Sequence, residues 1–138
     1  MLLSRHSRRS KQREAIFSLL DSVKTHPTAE WIYSQLKAQM PGLSLGTVYR
    51  NLSLFKTEGS AVIVASVEGQ ERFDSRVEPH AHFICRKCSQ VLDLDEVPMP
   101  APYSELSGIE SRGLKIETAQ LNFYGLCNNC GASNKNEK

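Results

Sequence analysis

Apolar residues recur at helical spacing in three separate stretches before residue 60. In residues 10–23, Ala15, Ile16, Leu19, Leu20 and Val23 fall on one side, with Arg and Lys opposite, which predicts an amphipathic helix. His26-Pro27 breaks that pattern. A second helix is expected to open near Pro27, a residue suited to a first turn. It should run to about Gln39 with Ala29, Ile32, Leu36 and Met40 inward, and stop at Pro41-Gly42. A third is bounded by Ser44 as N-cap and Gly59 as stop, with Leu45, Val48, Leu52 and Phe55 inward. Its opposite face carries Gly46, Arg50, Ser53 and Thr57. A face that is small and polar around one arginine can lie flat against a partner, whereas an ordinary solvated face carries several Lys and Glu.

Beyond Gly59 the period shortens to two. Ala61–Val67 is apolar and β-branched, Glu68-Gly69 turns, and Glu71–Asp74 returns, which reads as a hairpin. Three helices followed by a hairpin is the order of a winged helix-turn-helix, whose third helix enters a DNA major groove. After residue 74 the pattern changes again. His82–Cys85 and Val91–Leu94 look like short paired strands, and Pro98, Pro100 and Pro102 mark a loop. Tyr103–Ser111 is expected to form a short helix, with strand character over Leu114–Thr118 and Gln120–Gly125. The fold class is therefore α+β: a winged helix-turn-helix over residues 1–73 and a small α/β lobe over residues 74–138.

Composition narrows the function. The chain has 138 residues, 40% hydrophobic and 23% charged, a globular balance rather than a disordered one. Its longest apolar run, Ala61–Ala65, is far short of the ~20 residues a bilayer requires. Met1-Leu2-Leu3 meets Ser4 and Arg5 at once, without a secretory apolar region. A cytoplasmic protein without a membrane partner is expected. Net charge is only +2 but uneven: residues 1–66 hold 9 Lys+Arg against 4 Asp+Glu, and residues 67–138 hold 8 against 11. A basic half points to a polyanion, and an acidic half to another task.

That other task starts from the cysteines. Cys85, Cys88, Cys127 and Cys130 form two C-x-x-C pairs separated by 38 residues. Without a secretion signal, such pairs read as a Zn²⁺ site, tetrahedral and closed, with a structural role in tying residues 120–130 to the strand at Cys85. A redox dithiol is the competing reading, made weaker by the second pair. His80-Ala81-His82 puts two imidazoles on one face of an extended chain just before Cys85, which points to a second metal site. A zinc deaminase would need H-x-E and P-C-x-x-C. Here the third residue is His82 and Ile84 precedes Cys85. No Ser/His/Asp arrangement supports a hydrolase, so the chain is not expected to be an enzyme, with a zinc-binding redox enzyme as the remote alternative.

Five separated segments then resemble the ferric uptake regulator family, in order, over residues 8–130. They are His26-Pro27-Thr28-Ala29, the Leu43–Leu52 helix with Gly46-Thr47-Val48-Tyr49-Arg50, Arg72-Phe73-Asp74, His80-x-His82-x-x-Cys85-x-x-Cys88, and Tyr124-Gly125-x-Cys127-x-x-Cys130. The match is closest to the peroxide-sensing branch. The resemblance implies a regulatory Fe²⁺ or Mn²⁺ held by His26, Asp74, His80, His82 and Asp93. The last is aspartate in peroxide sensors and usually glutamate in iron-uptake regulators. An N/O donor set without thiolate suits these metals. Five ligands leave a sixth position where peroxide can meet Fe²⁺, and the oxidised ligands would be His26 and His80. The manganese form would repress without sensing.

The resemblance further implies a metal-dependent repressor, a homodimer on a palindromic DNA operator, with the second lobe serving dimerisation. Arg50 is the candidate for reading guanine and Tyr49 for packing on a thymine methyl. Ser44 and Thr47 belong to the same DNA-binding set, and Arg8, Lys11, Arg13 and Lys56 are expected on phosphates. An iron or zinc uptake repressor of the same family is the alternative. Three features depart from the pattern. Only seven residues precede Arg8, which shortens the N-terminal arm. Arg50 matches the iron-uptake branch, where some peroxide sensors carry Asn. Thr118 and Ala119 stand where relatives often carry histidines, so an accessory metal site is not expected.

Overall fold

The first helix of the computed structural model, α1 (Leu2–Ser22), begins well before residue 10. No Gly or Pro interrupts Met1–Ser22, so the helix runs on through polar turns that carry no apolar signal. Residues 2–99, 112–116 and 119–131 are described, with side chains from Arg8 onward. The helix expected over Tyr103–Ser111 lies outside the described residues, as do Pro100, Pro102 and residues 117–118; residues 114–116, expected as strand, are not in one.

Helix α2 (Ala29–Leu36) starts two residues later than Pro27 would place it, because Thr28 is the cap. The Thr28 hydroxyl accepts the Trp31 amide at 3.0 Å, satisfying a donor that the helix start leaves free. Ala29, Ile32 and Leu36 are buried, and Met40 packs against the same core from the turn that follows. Helix α3 (Leu45–Glu58) has both expected ends. Ser44 Oγ accepts the Thr47 amide at 3.1 Å. Gly59 closes the helix in the left-handed conformation, φ +83°, where a Cβ would be strained. Val48, Leu52 and Phe55 join Ile16, Leu20 and Ile32 in the core, with Phe17 edge-on to Phe55 at 5.2 Å between ring centres.

Strands β1 (Val62–Val67) and β2 (Gln70–Asp74) pair antiparallel across Glu68-Gly69. Both turn residues have positive φ, +54° and +80°, as the tightest hairpin turns require. Phe73 points from β2 into the helical core. Three helices and this hairpin form the winged helix-turn-helix.

A second compact unit begins at Glu78. Its sheet has the order β4 (Val91–Leu94), β3 (Ala81–Cys85), β5 (Asn122–Gly125). β3 pairs antiparallel with β4 and parallel with β5. Register puts His82 opposite both Asp93 and Asn122, and Phe83 opposite Leu92 and Phe123. One side of the sheet therefore collects polar ligand-type residues, while the other is apolar and partly open, with Leu92 and Phe123 each about 40% exposed. Among the described residues, no helix is long and apolar enough to cross a membrane.

Candidate metal centres and nucleic-acid interface

The four cysteines converge within the second unit. Cys85 ends β3, Cys88 lies in the turn after it, and Cys127 and Cys130 follow β5. Their sulfurs all lie within 4.8 Å of one another. Cys88 Sγ and Cys127 Sγ are 3.8 Å apart. That is far beyond the ~2.05 Å of a disulfide. It matches the ~3.8 Å edge of a tetrahedron built on Zn–S bonds of ~2.3 Å. The backbone amides of Cys88 and Cys127 both point at Cys85 Sγ, at 3.5 and 3.4 Å. These donors hold the Cys85 thiol down at about 6, whereas the sulfur of Cys127 beside it pushes Cys130 up to about 12. Four crowded sulfurs resist losing all their protons unless a cation sits among them. The donor set fits Zn²⁺.

A second group in this unit is built on register. His80 Nε2 and His82 Nε2 lie 2.9 and 3.3 Å from the same oxygen, Asp93 Oδ1. His80 Nδ1 is 2.7 Å from the Glu78 carbonyl, which can only accept, so Nδ1–H donates there and Nε2 is the ring nitrogen turned towards the carboxylate. A ring nitrogen and a carboxylate oxygen at this separation can be bridged by a proton or by a metal cation. Ligand separations near 3.0 Å are those of an octahedral edge with bonds of about 2.1 Å.

The first unit holds the remaining two sequence-derived ligands together. His26 Nε2 lies 3.3 Å from Asp74 Oδ2, and the ring is 2% exposed. Its backbone is left-handed, φ +55°, an uncommon state for a side chain other than Gly, although His, Asn and Asp tolerate it best. Strand β2 pins this loop at three consecutive carbonyls. Arg72 donates through Nε to His26 and through Nη2 to Thr25, the latter at 2.8 Å, and the Phe73 amide donates to Pro27 at 3.0 Å. Asp74 Oδ1 accepts the Arg76 amide at 2.9 Å. Arg72 is half-buried, and burial lowers its pKa. Sequence reasoning had Arg72 only as part of a motif; its partners lie 46 and 47 residues away along the chain.

The outer face of α3 is organised around Arg50. Its Nη2 donates to Thr47 Oγ1 at 3.0 Å, and that hydroxyl meets Ser44 Oγ at 2.9 Å. The absence of a side chain at Gly46 leaves room for the guanidinium, which would stand 3.3 Å from a Cβ there. Arg13 Nε reaches Asn51 Oδ1 at 3.4 Å, and Asn51 Nδ2 donates to the Thr47 carbonyl at 2.9 Å. Arg9, Arg13, Thr47, Arg50 and Asn51 thus line one open basic cleft between α1 and α3. Arg8, Lys11 and Lys56 are exposed and do not line it. Arg9 and Asn51 were missed in the sequence; they became visible only when α1 was packed against α3. Tyr49 donates its hydroxyl to Glu30 Oε1 at 2.7 Å, and that carboxylate raises the tyrosine pKa.

A winged helix joined to a unit with thiolate and His/Asp clusters has the parts of a metal-responsive regulator of transcription. The chain belongs to the ferric uptake regulator family, whose sequence profile matches residues 4–124. It is 34% identical over 124 residues to the peroxide operon regulator of Bacillus subtilis (strain 168), covering 86% of this chain and 81% of that one. Its fold superposes on the Campylobacter jejuni peroxide stress regulator with a TM-score of 0.71 at 26% identity, covering 94% and 96% of the two chains. The ferric uptake regulator of Francisella tularensis, solved with iron, gives a TM-score of 0.65 at 29% identity over 86% and 90%.

Proposed function

We propose that this chain is a metal-dependent, DNA-binding repressor that leaves its operator when peroxide oxidises its own histidine ligands. The observation that carries the reading is Asp93, whose one oxygen faces both His80 and His82. Similarity to the peroxide regulators of Bacillus subtilis and Campylobacter jejuni supports it. His26 and Asp74 would contribute two ligands from the winged-helix unit, and His80, His82 and Asp93 three from the other. Bound Fe²⁺ would supply the one-electron chemistry that turns peroxide into an oxidant, which Mn²⁺ supplies poorly.

The residues do the rest. Nδ1–H donation to Glu78 keeps His80 Nε2 available as a ligand atom, and Arg72 holds His26 in the conformation that presents its ring beside Asp74. Cys85, Cys88, Cys127 and Cys130 would hold structural Zn²⁺. The apolar sheet face of Phe83, Leu92, Leu94 and Phe123 offers the unit that begins at Glu78 a surface for homodimerisation, while the winged-helix unit reads DNA. Arg50 would contact guanine and Tyr49 a thymine methyl, with Ser44, Thr47 and Arg13 beside them and Arg8, Lys11 and Lys56 on phosphates. A homodimer matches a palindromic operator in the cytoplasm.

Peptide mass spectrometry tests this after anaerobic Fe²⁺ loading and brief exposure to hydrogen peroxide. One added oxygen on His26 or His80, absent from the Mn²⁺-loaded sample, is expected. Unmodified histidines with DNA binding still dependent on metal would instead make the chain an iron or zinc uptake repressor, and Arg50 matches the iron-uptake branch.

A further inference from the structure

Glu30 is a carboxylate placed where a polyanion is expected, and its two oxygens are both engaged. Oε1 accepts the Tyr49 hydroxyl from α3 at 2.7 Å, and Oε2 accepts Gln70 Nε2 from the start of β2 at 2.8 Å. One half-buried acid on α2 therefore joins the reading helix to the wing. A phenol has a single O–H. Once that proton is given to Glu30 it cannot be given to a phosphate or a base, and the adjacent negative charge opposes any phosphate approaching the phenolic oxygen. The ring itself remains 42% exposed.

We infer that Glu30 is a specificity-setting positioning residue: by capturing the Tyr49 hydroxyl and the wing together, it makes Tyr49 read DNA through its ring, as an apolar surface for a thymine methyl. The inference rests on the proposed DNA-binding role of α3. It adds that an acidic residue away from the reading helix decides what the tyrosine recognises. Such an arrangement gives up some electrostatic attraction and gains discrimination, since the thymine C5 methyl is the one major-groove feature that an aromatic ring reads without hydrogen bonds.

The test uses a duplex selected from a random pool by the Mn²⁺-loaded wild-type chain, and the same duplex with uracil replacing each thymine in turn. Uracil removes the methyl and leaves the hydrogen-bonding edge intact. One position is expected to weaken wild-type binding about fourfold, the worth of a single buried methyl. Glu30→Ala should abolish that penalty while strengthening binding to an unrelated duplex, and Glu30→Gln, whose amide oxygen still accepts the hydroxyl, should restore the penalty. Tyr49→Phe should keep affinity for the selected duplex within about threefold, because the lost hydrogen bond is internal. An undiminished uracil penalty in Glu30→Ala, or loss of binding beyond tenfold in Tyr49→Phe, overturns the assignment. Failure of the wild-type chain to select any duplex overturns the repressor reading and this inference with it.

Discussion

His26 combines two costs in one residue: an imidazole 2% exposed and a backbone in the left-handed region. A non-glycine residue held there costs on the order of 1–3 kcal/mol, so neighbouring contacts must hold it. Those contacts come mainly from Arg72, whose fork spans the Thr25 and His26 carbonyls. Arg72→Ala is expected to lower Mn²⁺ affinity by about 10- to 100-fold, the usual cost of removing a residue that orients a ligand. Zinc content should not change, since the cysteines lie in the other unit. Arg72→Lys should recover only part of the loss, because an ammonium cannot span two carbonyls as a guanidinium does. Titration calorimetry with metal analysis of the same samples decides the matter, and unaltered Mn²⁺ affinity would remove Arg72 from the site. At this scale the two C-x-x-C pairs and His80-x-His82 stood out by their spacing, whereas His26, Asp74 and Asp93 entered only through the family resemblance. The residues that position them were not legible. Arg72 and Glu30 act through partners 46 and 40 positions away, and no local pattern encodes such a pairing.

Elements were legible where chemistry marks both ends. Ser44 and Gly59 bound α3 because a hydroxyl can cap orphan amides and a glycine can enter the left-handed turn. The start of α1 was not legible from apolar periodicity, since its opening turns are polar. Alternation located β5, but nothing in it says that the strand runs parallel beside β3. That pairing spans only four register positions, and the cysteines anchor its far end, with the Arg86 amide donating to the Gly125 carbonyl at 2.8 Å. Cys85 carries most of the connection, because its sulfur accepts amides from both Cys88 and Cys127. Cys85→Ser is therefore expected to lose zinc and the dimer together, measured by metal analysis and sedimentation velocity. A zinc-free chain that still sediments as a dimer would assign the pairing of β5 to the sheet alone.

At the scale of the whole molecule, the uneven charge points to a polyanion for the first half and another task for the second, but charge alone does not say how one informs the other. If, as proposed, ligands come from both units, binding one ion would select the arrangement of the dimer that fits its operator. Such coupling is reciprocal. If Mn²⁺ tightens duplex binding by some factor, saturating duplex must tighten Mn²⁺ binding by the same factor, typically about 5- to 150-fold. Asp74→Ala separates this mechanism from simple metal binding by the second unit. It leaves His80, His82 and Asp93 in place, with His26 as the first unit's remaining proposed ligand, so weakened Mn²⁺ binding should persist while the coupling factor falls well below the wild-type value, since a ligand with more nearly equal affinity for two states shifts them less. Fluorescence anisotropy of a labelled duplex with and without Mn²⁺, paired with Mn²⁺ titrations with and without duplex, measures both sides of the cycle. Coupling undiminished by Asp74→Ala would mean that the second unit responds to metal without recruiting Asp74, and that Asp74 serves the winged helix rather than the switch.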